Sequence, residues 1–321
     1  FVQFVSNATE ISLNITYLWG MCSMWHFPST GMCGLDLYAW DGDGNGNGGN
    51  LGTRDARGGA GHWRWVGTTH SNGQVAGAPS VNTLSVVDGF GVRAPRTYRL
   101  HLPLYNAPAS LALGTGNDAA GAIWSDAMYA PTGKPIVWYG TSIAQGGVVS
   151  RPGMAFTNAI SRNLGREVLN FGFSGNGKMA LEVAANLTAV DAAAIVIDCS
   201  WNMNGPLIAA RVAPLVRYFR AHGHPTTPIV LAEDTQAGAY WVSATVRQAM
   251  DSKAAALRAG YDALVAAGEA ADVYYVPRTA LYNMSFDVGG LISPTVGGCH
   301  PTDLGQLAVA DFYTSFLPPL L

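Results

Sequence analysis

The chain has 321 residues, 49% of them hydrophobic and only 12% charged, with a net charge of −3. A charged fraction about half the usual ~25% excludes disorder as the main state, because disordered chains are rich in charge and poor in apolar residues. The charge balance offers no basic footprint for nucleic acid, and no apolar run approaches the ~18–20 residues of a membrane-spanning helix. The length suits two domains or one large one.

Residues 1–125 read as all-β. Short alternating runs (Val2–Val5, Ile11–Ile15, Leu35–Tyr38, Tyr98–Leu102) are separated by Gly, Asn, Ser and Pro clusters, the period-2 pattern of a sandwich. Inside this region Asp41–Gly61 is rich in Gly and Asn, and Asp41-Gly42-Asp43-Gly44-Asn45-Gly46 copies the first half of a calcium loop. The acidic twelfth ligand is missing, since that position is Gly52, so a hairpin insertion is expected rather than a calcium site. Most of Trp19, Trp25, Trp40, Trp63 and Trp65 are expected in the sandwich core, with some facing sugar.

From residue 126 to 321 a second domain is expected. Strand-like runs at Pro135–Tyr139, Val168–Phe173, Ala194–Asp198, Ile229–Ala232 and Val273–Val276 alternate with helical stretches near 153–165, 178–187, 205–222, 242–268 and 303–316. That alternation predicts an α/β fold, a flavodoxin-like doubly wound parallel sheet behind a smaller all-β sandwich domain. Such a sheet gathers its functional loops at the carboxyl ends of its strands. The loops in question are Gly140-Thr141-Ser142, Asn170 to Gly177, Asp198-Cys199-Ser200-Trp201-Asn202 and Gly298-Cys299-His300-Pro301. A Ser, a Gly amide, an Asn and a His meeting at one edge are the parts of an acyl-transfer site. Arg151-Pro152-Gly153 either starts a helix or brings Arg151 to the substrate.

These four blocks resemble those of the SGNH (GDSL-type) hydrolase superfamily. Within it, Gly34-Leu35-Asp36-Leu37-Tyr38 resembles the GxDLY motif of the subfamily with an added N-terminal domain. The resemblance implies Ser142 as nucleophile, the Ser142 amide, the Gly175 amide and the Asn202 side chain as oxyanion donors, and His300 as general base. Arg151 and Trp201 are the candidate substrate-binding residues. No metal or organic cofactor is implied, because the chemistry uses only protein groups. The expected partner is a small ester or an acylated glycan.

Two positions depart from the superfamily. Thr141 stands where Gly-Asp-Ser has its Asp, and Gly297 stands three residues before His300, where the acid of the triad is usual. Three explanations stay open: a carbonyl of the 293–298 loop holds the imidazole in a Ser–His dyad, Asp287 or Asp303 substitutes, or catalysis is lost and a glycan- or lipid-binding protein remains. A lipase or phospholipid acylhydrolase with longer acyl chains is the other alternative. If the loops converge, Cys199 and Cys299 would pair and brace the His loop, and Cys22 would pair with Cys33. The even cysteine count and the sequons at Asn7, Asn14, Asn186 and Asn283 point to a secreted protein.

Overall fold

The computed structural model describes residues 1–41, 53–54, 60–69, 77, 79–86, 95–125, 133–282 and 294–321. The half calcium loop beyond Asp41, the sequon at Asn283 and Asp287 lie outside the described residues. Two compact units are present, one made of Phe1–Thr132 with Val148–Gly165, the other of Gly133–Gly147 with Arg166–Leu321.

The first unit holds β1 (Val2–Ser6), β2 (Glu10–Tyr17), α1 (Ser29–Met32), β3 (Asp36–Asp41), β4 (Thr53–Arg54), β5 (Ala60–Thr68), β6 (Pro79–Ser85), β7 (Arg96–His101), β8 (Pro108–Gly114) and β9 (Ile123–Ser125). They make two antiparallel sheets, ordered β4-β5-β3-β7-β1-β9 and β6-β2-β8. Alternation decides which side chains go inside: Ile11, Leu13, Ile15 and Tyr17 of β2 are buried while Asn14 is exposed, the period of a strand with one dry face. The tryptophans depart from expectation. None of the five is fully buried; Trp19, Trp25 and Trp65 are exposed, and the aromatic core is Phe4, Tyr17, Phe27, Tyr38 and Tyr98 instead. Tyr17 fits inside because its hydroxyl donates to the Cys33 carbonyl, whereas Trp19 and Trp25 lie in the loop beyond β2, outside either sheet.

Each letter of Gly34-Leu35-Asp36-Leu37-Tyr38 has a physical role here. A Cβ on Gly34 would stand 2.1 Å from the Thr30 carbonyl oxygen, so only glycine fits. Leu35 and Leu37 are buried. The buried Asp36 carboxylate accepts from Trp65 Nε1 (2.7 Å), Arg151 Nη1 (2.8 Å) and the Gly153 amide (2.7 Å). Tyr38 takes a further bond from Arg151 and lies under the Arg162 guanidinium, 4.2 Å from ring centre to Cζ. The motif therefore fastens a segment more than a hundred residues away in sequence. That segment contains a 3₁₀ turn, Pro152–Met154, and then α3 (Phe156–Leu164), so Pro152 opens a 3₁₀ turn where a helix start was expected, and the α-helix begins four residues later.

The second unit carries β10 (Ile136–Gly140), α2 (Ser142–Gln145), β11 (Val168–Gly172), α4 (Leu181–Leu187), β12 (Ala194–Asp198), α5 (Gly205–Ala221), β13 (Ile229–Ala232), α6 (Ala244–Ala266), β14 (Val273–Val276), α7 (Arg278–Tyr282), β15 (Thr295–Val296), β16 (His300–Pro301) and α8 (Asp303–Phe316). Five parallel strands are ordered β11-β10-β12-β13-β14, the flavodoxin-like order with its switch point at β10. Both faces are covered. Val137, Tyr139, Ile195 and Ile197 pack with Leu187, Val212 and Leu215 of α4 and α5, while the alternate residue Trp138 meets Tyr313 of α8 on the other face. Continuous apolar strands follow from that double cover. Among the described residues no helix is long and apolar enough to cross a membrane.

Candidate active site

Loops from the carboxyl ends of β10, β11 and β12 converge with the β15–β16 hairpin. Glycine makes the approach possible: a Cβ on Gly177 would fall 2.1 Å from the Gly140 carbonyl oxygen, and Phe173 donates its amide to that same oxygen at 3.0 Å. Ser142 opens α2 and is buried. Thr141 caps this helix, its Oγ1 accepting from the Ile143 amide at 3.3 Å. Thr and Asp are both N-cap residues, which explains why Thr serves where the superfamily has Asp.

Ser142 Oγ lies 2.8 Å from His300 Nε2. A hydroxyl in direct contact with an imidazole is the geometry of a nucleophile with its base. His300 is held by the short hairpin, in which Val296 faces His300 and Thr295 faces Pro301. Gly297 (φ +63°) and Gly298 (φ +75°) form its turn, both left-handed, so the position of the usual triad Asp is taken up by the backbone demand of the turn. Asp303 stands in the first turn of α8.

Gly175 has a left-handed φ of +71°, with open space where a Cβ would stand. Asn202 Oδ1 accepts from the Gly177 amide at 3.2 Å, which ties the β11 and β12 loops together and turns its NH₂ group to donate elsewhere. Trp201 is half-buried: its indole nitrogen donates to Thr235 Oγ1 (2.8 Å), and the Lys253 ammonium lies 5.0 Å from its ring centre. Lys253 in turn pairs with the buried Asp234 at 3.3 Å. Arg151 belongs to the first unit, where Asp36 and Tyr38 hold its guanidinium.

The cysteines correct one expectation. Cys22 and Cys33 form a disulfide, but Cys199 and Cys299 are free. Cys199 is fully buried and donates to the Tyr139 carbonyl at 3.5 Å, a satisfied core thiol that burial pushes well up in pKa. Cys299 is pushed up to about 11 by burial, against a lowering pull from Lys253. It is a neutral thiol and no rival to the serine. Sequence reasoning did not single out Asp234, Thr235 and Lys253, the neighbours of Trp201. The signal was available: Glu233-Asp234-Thr235 follows the fourth strand, as the other site loops follow theirs.

The family model for GDSL-like lipases and acylhydrolases matches residues 133–318, and the model for the GxDLY N-terminus of SGNH-hydrolase-type esterases matches residues 1–54. Among solved structures, one from Bacteroides ovatus ATCC 8483 described as a GDSL-like lipase is 27% identical, with a TM-score of 0.82 over 99% of this chain and 83% of that one. The salicylyl-acyltransferase SsfX3 of a tetracycline biosynthetic pathway is 16% identical (TM-score 0.69; 99% and 83% covered). A carbohydrate esterase family 2 enzyme from Corynascus thermopiles (Myceliophthora fergusii) is 12% identical (TM-score 0.56; 99% and 92% covered). The last two likenesses concern the fold alone. No curated protein matches the chain.

Proposed function

Because the chain belongs to the GDSL-like lipase/acylhydrolase family and is an ester hydrolase of that kind, we propose that it cleaves small acyl esters, acetylated glycans among them, through an acyl-enzyme on Ser142. His300 Nε2 takes the proton of Ser142 as Oγ attacks the ester carbonyl. The tetrahedral oxyanion is held by the amides of Ser142 and Gly175 and by the Asn202 side chain. Collapse expels the alcohol, which leaves with the proton from His300. Water then repeats the sequence on the acyl-serine and releases the acid.

The observation that carries this proposal is the 2.8 Å contact between Ser142 Oγ and His300 Nε2. With Gly297 in the triad-acid position, we assign a Ser–His dyad whose second ring nitrogen is held by a carbonyl of the His loop. A third member of a triad orients more than it reacts, so a carbonyl serves. The disulfide suits an extracytoplasmic location, and Asn14 and Asn186 are exposed, as glycan attachment there requires.

Intact mass after incubation with a fluorophosphonate is the test. One adduct on the wild type, absent from Ser142→Ala, is expected. A folded protein with no adduct would overturn the proposal and leave a binding protein. Hydrolysis confined to acetyl and propionyl nitrophenyl esters would exclude a lipase.

A further inference from the structure

The segment after β13 lies beside the hairpin that carries His300. Gly238 donates its amide to the Gly298 carbonyl at 2.7 Å, and a Cβ on Gly238 would come 3.0 Å from Gly298 Cα. Trp241 is three residues beyond that contact, and His300 is two residues beyond it on the other strand of chain. Three residues span at most ~11 Å even when extended, and here the chain is folded: Tyr240 donates to the Ala237 carbonyl (3.0 Å), Val242 and Ser243 to that of Ala239 (3.2 and 2.8 Å). Trp241 therefore stands on a turn whose chain is hydrogen-bonded directly to the hairpin that carries His300.

Trp241 is 77% exposed and Val242 beside it 64%, yet the backbone beneath them is fixed. Arg247 donates through Nε to the Tyr240 carbonyl (3.3 Å) and through Nη2 to that of Trp241 (3.0 Å). Tyr240 donates its hydroxyl to Asp251 Oδ1 (2.9 Å), and Arg278 both pairs with that oxygen (2.7 Å) and covers the Tyr240 ring. A large indole held out in water on a pinned turn is a contact surface of low ordering cost.

We infer that Trp241 is a binding platform for a sugar ring of an acylated glycan, next to the scissile ester; this rests on the esterase proposed above. An open aromatic face takes the apolar C–H side of a pyranose and leaves its hydroxyls in water. An acyl chain, in contrast, needs a concave apolar pocket that buries it on several sides, which a residue exposed to this degree does not give.

The test uses the whole protein and a partially O-acetylated cello-oligosaccharide. Trp241→Ala raises KM for this substrate at least tenfold with kcat within about twofold, the sign of lost uniform binding, and Trp241→Phe restores most of the loss. Calorimetric binding of the oligosaccharide to Ser142→Ala is weakened in Ser142→Ala/Trp241→Ala by the same factor. Folding is not at stake, because exposed substitutions cost little. Unchanged KM, a fall in kcat alone, or a wild type that turns over p-nitrophenyl acetate but neither binds nor cleaves the oligosaccharide overturns the inference and leaves the esterase standing. A wild type with no turnover of either ester and no fluorophosphonate adduct fails both.

Discussion

Asp198 closes β12, accepting from the Trp138 indole nitrogen at 3.4 Å, and burial, helped by the charge of Asp234, lifts its carboxyl to about 7. A raised carboxyl binds its proton more tightly in the folded than in the unfolded chain. Its contribution to stability is full below pH ~4 and is lost as pH rises to about 7, a span worth as much as roughly 4 kcal/mol. Denaturant unfolding of the wild type should lose stability over that window, and Asp198→Asn should flatten the loss. At the reacting centre, Asn202→Ala should lower kcat roughly 10²–10³-fold with little change in KM, the usual effect of removing one oxyanion donor. Asp303→Asn separates the dyad from a substituted triad: a loss under about threefold fits a loop carbonyl on the imidazole, whereas a loss near 10⁴-fold would make Asp303 the acid. Ser142 could be singled out in sequence because it follows an apolar strand, and His300 because it precedes a helix in a block resembling the superfamily's. The partners of Arg151 were not: nothing local in Arg151-Pro152-Gly153 indicates that a carboxylate from Asp36 waits for it.

Turning to elements, β10 to β14 were readable to within a residue or two, because β10, β12 and β13 are buried on both faces as apolar runs and β11 and β14 repeat the apolar pattern beside them. The β15–β16 hairpin was not, since two residues per strand carry no period. Its glycines look like decay of a triad when read as a string; in space they form a left-handed turn. The same hairpin depends on the Gly238–Gly298 approach. Gly238→Val should push the His300 loop away from Ser142 and cost at least tenfold in kcat/KM on p-nitrophenyl acetate, with the melting temperature lowered by only a few degrees. An equal rate would show that the hairpin is held by other contacts. The tryptophans, most of which were expected in the core, were misjudged for two reasons: aromatic content does not say which face of a strand is dry, as at Trp65 in β5, nor whether the residue is in a strand at all, as at Trp19 and Trp25 beyond β2.

At the scale of the molecule, the two units are interleaved in the chain, the first reclaiming Val148–Gly165 after the second has begun. Changes of local grammar located two kinds of structure and could not reveal this return, because segment membership is decided by contacts at long sequence separation. Asp36 is one such contact. Asp36→Ala should destabilise the first unit by about 3–5 kcal/mol, the cost of leaving the Arg151 charge without its buried partner, measured by thermal unfolding; a shift under about 1 kcal/mol would mean the segment is held elsewhere. The interleaving also matters before the protein is complete. Synthesis proceeds from the N-terminus at roughly 5–20 residues per second, so the β strands of the first unit emerge several seconds before Gly165 does. During that interval the Asp36 carboxylate, the Trp65 indole and the Tyr38 ring have no Arg151, Gly153 or Arg162 to engage. The nascent N-terminal sheets must therefore wait, incompletely stapled, while the ribosome passes through β10 and the nucleophile loop to deliver the piece that finishes them.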